Sequence, residues 1–169
     1  MKILVISDSH GRDEDVKGVM EQVKDFDMVI HCGDVERGED YIRALTDKTV
    51  IIVAGNNDFF SDLPAKELVE VEGYRILVTH GHQFYVNFGT DNLETYCRQN
   101  NIQVAMFGHT HRPYLQIDDD LTILNPGSIS YPRQSDRKQT YLMMEIDEQG
   151  EAHYSHGIYK GGNYGGILS

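Results

Sequence analysis

Residues 104–113 read VAMFGHTHRP: four apolar residues, a glycine, then His109 and His111 separated by one threonine. A buried strand has no need of two imidazoles at its mouth, and a hydrophobic core gains nothing from them. The ends of the other apolar runs therefore decide between a structural and a functional role for the pair.

Four more runs end in the same manner. ILVIS leads into Asp8-Ser9-His10-Gly11, MVIHC into Gly33-Asp34, VIIVA into Gly55-Asn56-Asn57-Asp58, and RILVT into His80-Gly81-His82. Each stops at Asp, Asn or His beside a glycine. Taken singly these signals are weak, because Asn, Asp and Gly favour tight turns and an Asp-x-His is commonly a cap beside a surface histidine. Together, in order and each directly after a strand, they are hard to produce by turn chemistry. In α/β sheets ligands bind at the carboxyl ends of strands. Oxygen and imidazole donors arriving there from several strands converge, which is how a protein builds a metal site. In an extended segment residues two apart point the same way, so Asp8 and His10 are expected to face one centre, as are His109 and His111. Such a pair spans about 6–7 Å, against about 3.5–4 Å between paired metals, so each of the two histidines is able to serve a different ion.

The intervening sequence supplies the scaffold. KILVIS, DMVIHC and TVIIVA read as buried strands, and DEDVKGVMEQVK and GEDYIRALT between them read as amphipathic helices. This alternation indicates βαβ units and a sheet covered on both faces. The second half is richer in strands: YRILVT and VAMF flank a helix-like TDNLETYCRQN, followed by PYLQI, LTILN, TYLMMEI and AHYSHGIY. An α/β sandwich of two sheets fits this order better than one doubly wound sheet. Residues 1–160 read as one domain, and 161–169 as a flexible Gly-rich tail.

The 169 residues suffice for a substantial core, and no run approaches the roughly 18 apolar residues of a membrane span. Two cysteines, Cys32 and Cys97, do not suggest a disulfide framework, so a reduced, cytoplasmic setting is expected. With 15 Lys+Arg against 27 Asp+Glu the formal charge is −12, and no Lys/Arg cluster stands out. Such a balance disfavours long nucleic acids, while small nucleotide diesters stay open as substrates.

The strand-end residues, in this order, resemble the motifs of the calcineurin-like metallophosphoesterases: Asp-x-His, Gly-Asp, Gly-Asn-His-Asp/Glu, a histidine after a strand, and Gly-His-x-His. THGH and LNPGSISYPR look most like the small YfcE-like phosphodiesterase branch, which is itself similar to a retromer scaffold subunit. The resemblance covers roughly residues 1–160 and implies a four-layer α-β-β-α sandwich, two mixed β-sheets flanked by helices. It implies two divalent transition-metal ions, Mn²⁺ foremost with Ni²⁺, Fe²⁺ or Zn²⁺ as alternatives. The first would be held by Asp8, His10, Asp34 and His111, the second by Asp34, Asn56, His80 and His109. The implied reaction is hydrolysis of a small phosphodiester by a metal-bridging hydroxide, and homo-oligomers are common among such proteins. The alternative is a non-catalytic metal-binding scaffold of the same fold.

One departure bears on substrate. Asn57 occupies the position where the larger family has a histidine that protonates the leaving group or stabilises charge. An amide cannot act as an acid, so poor leaving groups should suffer most, and diesters with good leaving groups are expected over monoesters. His82 is a candidate for proton transfer, with an orienting or surface role as the alternative. Asn125 and Ser128, in the Asn-Pro-Gly-Ser turn, are candidate substrate contacts if they do more than form that turn. Phe59, Phe60 and Tyr85 either pack a leaving group or join the core.

Overall fold

The computed structural model describes residues 1–161, so the tail expected over 161–169 lies, from 162 onward, outside the described residues. The described residues form ten strands in two five-stranded sheets. β1 (Lys2–Ile6), β2 (Met28–His31) and β3 (Thr49–Ile52) run parallel, with α1 (Asp13–Val23) and α2 (Glu39–Ala44) in the two connections. Later in the chain β4 (Lys66–Val71), β5 (Tyr74–Thr79), α3 (Asp91–Gln99), β6 (Val104–Met106), β7 (Pro113–Ile117) and β8 (Thr122–Pro126) follow. β9 (Thr140–Ile146) and β10 (Ala152–Ile158) complete the first sheet, in the order β10-β9-β1-β2-β3. The second sheet runs β4-β5-β6-β8-β7. Both sheets are mixed, as expected of the sandwich: β9 is antiparallel to β1, and β4 to β5, beside parallel neighbours.

Alternation along each buried strand sorts side chains into layers. Ile3, Val5 and Ile30 of the first sheet meet Ile76, Val78, Val104, Met106 and Leu124 of the second in one buried cluster. The opposite face of the first sheet, Leu4, Ile6, Val29 and Ile52, packs against Val16, Val19 and Met20 of α1 and Ile42 of α2. Leu77, Ala105 and Ile123 on the outer face of the second sheet pack against Leu93 and Cys97 of α3. Continuous apolar runs arise because these strands are covered on both faces. β4 has no such run: KELVEV alternates exposed and covered positions at the sheet edge. Cys32 and Cys97 are both buried and unbonded. No described helix is long and apolar enough to cross a membrane.

The register positions the site. Ile6 pairs with His31 and His31 with Ile52, so β1, β2 and β3 finish level. Ile76 pairs with Val104 and Val78 with Met106, which brings the ends of β5 and β6 level as well. Backbone bonds then stitch the loops together: Asp8 N–H to the Gly33 carbonyl at 3.1 Å, His10 N–H to that of Asp34 at 2.9 Å, and Gly108 N–H to that of His80 at 3.0 Å.

Ile30 lies fully buried between the sheets. Ile30→Ala is expected to lower unfolding stability by about 2–5 kcal/mol, through lost burial and the cavity left behind. Urea denaturation followed by circular dichroism measures it.

Candidate metal centre

Of the seven side chains expected to converge, Asp8, His10, Asp34, His80 and His111 face one another around two buried carboxylates, while Asn56 and His109 form an adjacent pair. Asp8 Oδ2 accepts hydrogen bonds from Ser7 Oγ at 2.6 Å and from the His109 backbone N–H at 3.1 Å. Its other oxygen, Oδ1, is buried with no hydrogen-bond partner and faces His111 Nε2 at 3.2 Å, His10 Nε2 at 3.7 Å and His80 Nε2 at 3.8 Å. Asp34 accepts from the Asn57 backbone N–H on Oδ1 and from Asn57 Nδ2 on Oδ2, both at 2.8 Å. Asp34 Oδ2 also lies 3.3 Å from His80 Nε2 and 3.6 Å from His10 Nε2.

Three imidazoles are held the same way. The Nδ1–H of His80 donates to the Cys32 carbonyl at 2.7 Å, and that of His111 to the Tyr131 carbonyl at 2.7 Å. His10 Nδ1 donates to Glu36 Oε1 at 2.8 Å. Each outer bond fixes ring orientation and leaves Nε2 pointing inward, the arrangement seen where histidines ligate metals. His10 and His111 present their Nε2 atoms to one another at 3.1 Å. One ligand atom from each of Asp8, His10, Asp34 and His111 lies within 4.8 Å of all the others, the spacing of donors around one cation. His109 is turned the other way. Its Nδ1 is 3.0 Å from Asn56 Oδ1, and its Nε2 is 2.9 Å from Asn87 Nδ2. Its ring lies 5.1 Å from that of His80, which joins this second group to the first through Asp34.

The convergence has a different cause from the strand alternation expected. Asp8, His10, Asp34, His109 and His111 all have positive φ, between 47° and 66°. They sit on left-handed turns just beyond the strands, not on extended chain, and each such residue costs of order 1–3 kcal/mol. The neighbouring glycines let these turns touch. A Cβ at Gly55 would run into the Asp34 carboxylate and backbone N, and one at Gly108 into Ser7 Oγ and Asp8 Oδ2.

The electrostatics follow from burial against pairing. Burial alone would raise both carboxyls, but the facing imidazoles of His10 and His111 hold Asp8 far below its usual range, and His80 and Asn57 hold Asp34 at about 2. Burial lowers His10, yet Asp8 and Glu36 outweigh it and lift it to about 9. His80 is raised by Asp34 and Asp8 against the same opposing burial. Burial and the neighbouring His80 lower His82 and His109. His31, fully buried, is depressed to about 4 by burial; it accepts from Gly33 N–H on Nδ1 and bonds Ser9 Oγ through Nε2, a satisfied core histidine.

The remaining candidates are placed as follows. Asn57 is committed to Asp34 through both its backbone and its amide. His82 stands at the edge of the cluster, its ring 5.5 Å from His80 and 6.0 Å from His109, with Nδ1 buried and unpartnered. Asn125 and Ser128, expected as substrate contacts, are fully buried, and neither presents an atom to the cleft. Asn125 Nδ2 donates to the Gly108 carbonyl and Thr110 Oγ1, steadying the His109–His111 turn, while Ser128 Oγ donates to the Asp8 carbonyl. Phe59, Phe60 and Tyr85 are exposed, outside the core. Glu36 and Asn87 were not expected; Asp58, which reads in the sequence as a turn cap, takes a role of that kind. Asp58 accepts from the backbone N–H groups of Asp34, Glu36 and Gly55 and so ties two ligand loops together.

Known proteins resemble this chain in sequence and fold. The probable metallophosphoesterase MJ0623 of Methanocaldococcus jannaschii is 37% identical over 137 residues, covering 79% of this chain and 70% of its own. The phosphodiesterase MJ0936 of the same organism is 28% identical over 148 residues, covering 75% and 83%. A crystal structure of a predicted phosphoesterase from Streptococcus pneumoniae superposes with a TM-score of 0.77 at 30% identity, covering 93% of this chain and 97% of that one. Zn²⁺-complexed Vps29 from Entamoeba histolytica shares the fold, with a TM-score of 0.71 at 21% identity over 95% of this chain and all of that one. Residues 1–149 match the calcineurin-like phosphoesterase superfamily domain, and the chain belongs to that superfamily.

Proposed function

We infer that this phosphoesterase-family chain is a dinuclear, metal-dependent phosphodiesterase acting on small phosphodiesters. One observation carries the reading: Asp8 Oδ1 and His80 Nε2 are buried with no hydrogen-bond partner, and both face inward among other donors. A buried polar atom left unsatisfied costs about 1–3 kcal/mol, and a cation among these donors removes that cost for several of them together. Asp8, His10, Asp34 and His111 would hold one ion; Asp34, Asn56, His80 and His109 would hold the other, with Asp34 between them. Mixed carboxylate, amide and imidazole donors suit Mn²⁺, with Ni²⁺, Fe²⁺ and Zn²⁺ as alternatives. Bound cations there supply Lewis acidity toward phosphoryl oxygens and acidify a water to serve as nucleophile near neutral pH.

The chain's own groups set the preference. Asn57 spends its amide on Asp34 and has no acidic proton, so the leaving group departs without a histidine donor at that position. A diester with a good leaving group suits such a site better than a monoester. His82, whose pKa burial and His80 lower, would take up a proton at the cluster's edge. The phosphodiesterase name of the MJ0936 relative agrees with this choice of substrate.

Activity across matched mono- and diesters with Mn²⁺, Ni²⁺, Zn²⁺ and Fe²⁺ tests the assignment. Hydrolysis of bis(p-nitrophenyl) phosphate well above that of p-nitrophenyl phosphate is expected; a protein that loads cations yet cleaves no diester would return the site to a scaffold role. Asn57→His should raise the monoester-to-diester ratio by about tenfold or more. An unchanged ratio at equal metal content would count against Asn57 as its determinant.

Metal affinity should depend on pH with a definite sign. His10 titrates at about 9 in the metal-free protein, so below that pH a cation must displace its proton. Affinity for Mn²⁺ is expected to rise by about tenfold per pH unit for each proton released as pH goes from 6 to 8. Competition with a fluorescent chelator measures it, and affinity independent of pH would contradict the assignment of His10 as a ligand.

A further inference from the structure

A cavity of about 980 Å³ opens at His10 and His111 and runs past Tyr131 to Tyr159. Small-molecule sites span roughly 300–1,000 Å³, so its size suits a nucleotide. Its wall carries Arg133, Arg137 and Lys138, three cations from the single segment 133–138 that lines the cavity beside the metal cluster. The two carboxylates on the same wall are already occupied: Asp136 lies 3.7 Å from Lys138 Nζ, and Glu36 accepts from His10 at 2.8 Å. Arg137 places one amino group 3.2 Å from the Pro132 carbonyl. Arg133 is exposed and, among the described residues, has no carboxylate within ion-pair distance. Its backbone N–H donates to the His111 carbonyl at 3.0 Å, which ties this cation to the edge of the metal cluster.

Two guanidinium groups without carboxylate partners, beside a site that handles a phosphodiester, match the geometry of a second phosphate, which arginine binds through paired N–H donors. We propose that this cavity is a second phosphate subsite, and that the substrate is a small phosphodiester bearing a further phosphate, held by Arg133 and Arg137 between Tyr131 and Tyr159. The proposal rests on the phosphodiesterase reading and narrows its substrate class. The scissile diester sits at the metal cluster, and the second phosphate stays intact as a handle.

Two chromogenic diesters test it with the Mn²⁺-loaded protein: thymidine 5′-(p-nitrophenyl phosphate) and the same compound carrying a 3′-phosphate. The 3′-phosphate should lower KM about tenfold with little change in kcat, an advantage that shrinks as salt rises. Arg133→Gln should reduce the advantage to about twofold or less, and Arg133→Lys should restore part of it. Arg133 makes no side-chain bond among the described residues, so this variant isolates the charge. Equal KM values for the two esters, or an advantage that survives Arg133→Gln together with Arg137→Gln, would overturn the proposal. If neither ester is cleaved with any cation, the phosphodiesterase reading fails, and calorimetry decides the cavity separately. Thymidine 3′,5′-bisphosphate binding about tenfold tighter than thymidine 5′-monophosphate to the wild-type protein, but not to Arg133→Gln, would retain the subsite. Equal binding of the two nucleotides would remove it.

Discussion

Two carboxylates buried side by side, Asp8 and Asp34, set the terms for everything around them. Taking a carboxylate out of water costs several kcal/mol unless charge and hydrogen bonds replace the lost solvation. Each is answered from a different part of the chain: Asp8 by Ser7 and the His109 N–H, Asp34 by Asn57. The imidazoles of His10, His80 and His111 then supply positive charge or its potential across a few ångströms. Donors on separate loops work only if the loops touch. Glycine at positions 55 and 108 is therefore a consequence of the carboxylates, since any Cβ there would occupy the space of Asp34 or Asp8.

The same requirement explains the strained backbone. A strand delivers one side chain per face every second residue, which is too coarse to place several ligands around one point. Left-handed turns at Asp8, His10, Asp34, His109 and His111 redirect the chain within a residue or two. Their cost is offset locally: Ser128 bonds the Asp8 carbonyl, Asn125 braces the Gly108–Thr110 turn, and Asp58 gathers three backbone N–H groups from the β2 and β3 loops. Residues that never face the cleft thus fix the geometry of those that do.

This division marks what a reader of the sequence is able to see. β1, β2, β3, β5 and β6 announce themselves because burial on both faces demands unbroken apolar runs, and their ligands because Asp, Asn and His recur after five strands in succession, more often than turn chemistry requires. β4 stays hidden, since an edge strand with one exposed face carries Lys66, Glu67 and Glu70 like any surface segment. The orienting partners are hidden for another reason. The Cys32 and Tyr131 carbonyls that fix His80 and His111 are backbone, and any residue type supplies them. Glu36, two residues past Asp34, left a faint signal. Asn125 and Ser128 were legible as important but not as buried, because polarity in a glycine-proline turn suggests exposure until the loop packing is known.

Charge connects the site to its surroundings. A chain of formal charge −12 draws divalent cations and repels the anions that a phosphoesterase must bind. Cations held at the cluster would reverse the sign only over a short range, because salt screens exposed charges beyond about 8–10 Å. A substrate reaching past that range meets the protein's own surface. On most of that surface it would meet carboxylates; along the wall that begins at His10 and His111 it meets Arg133 and Arg137 instead. On the proposed reading, extending the positive region in that one direction would favour one orientation of an anionic ligand, with its diester at the cluster and its remainder along the wall. On that reading the overall acidic field would disfavour long polyanions, while a short one would still fit within the reversed patch.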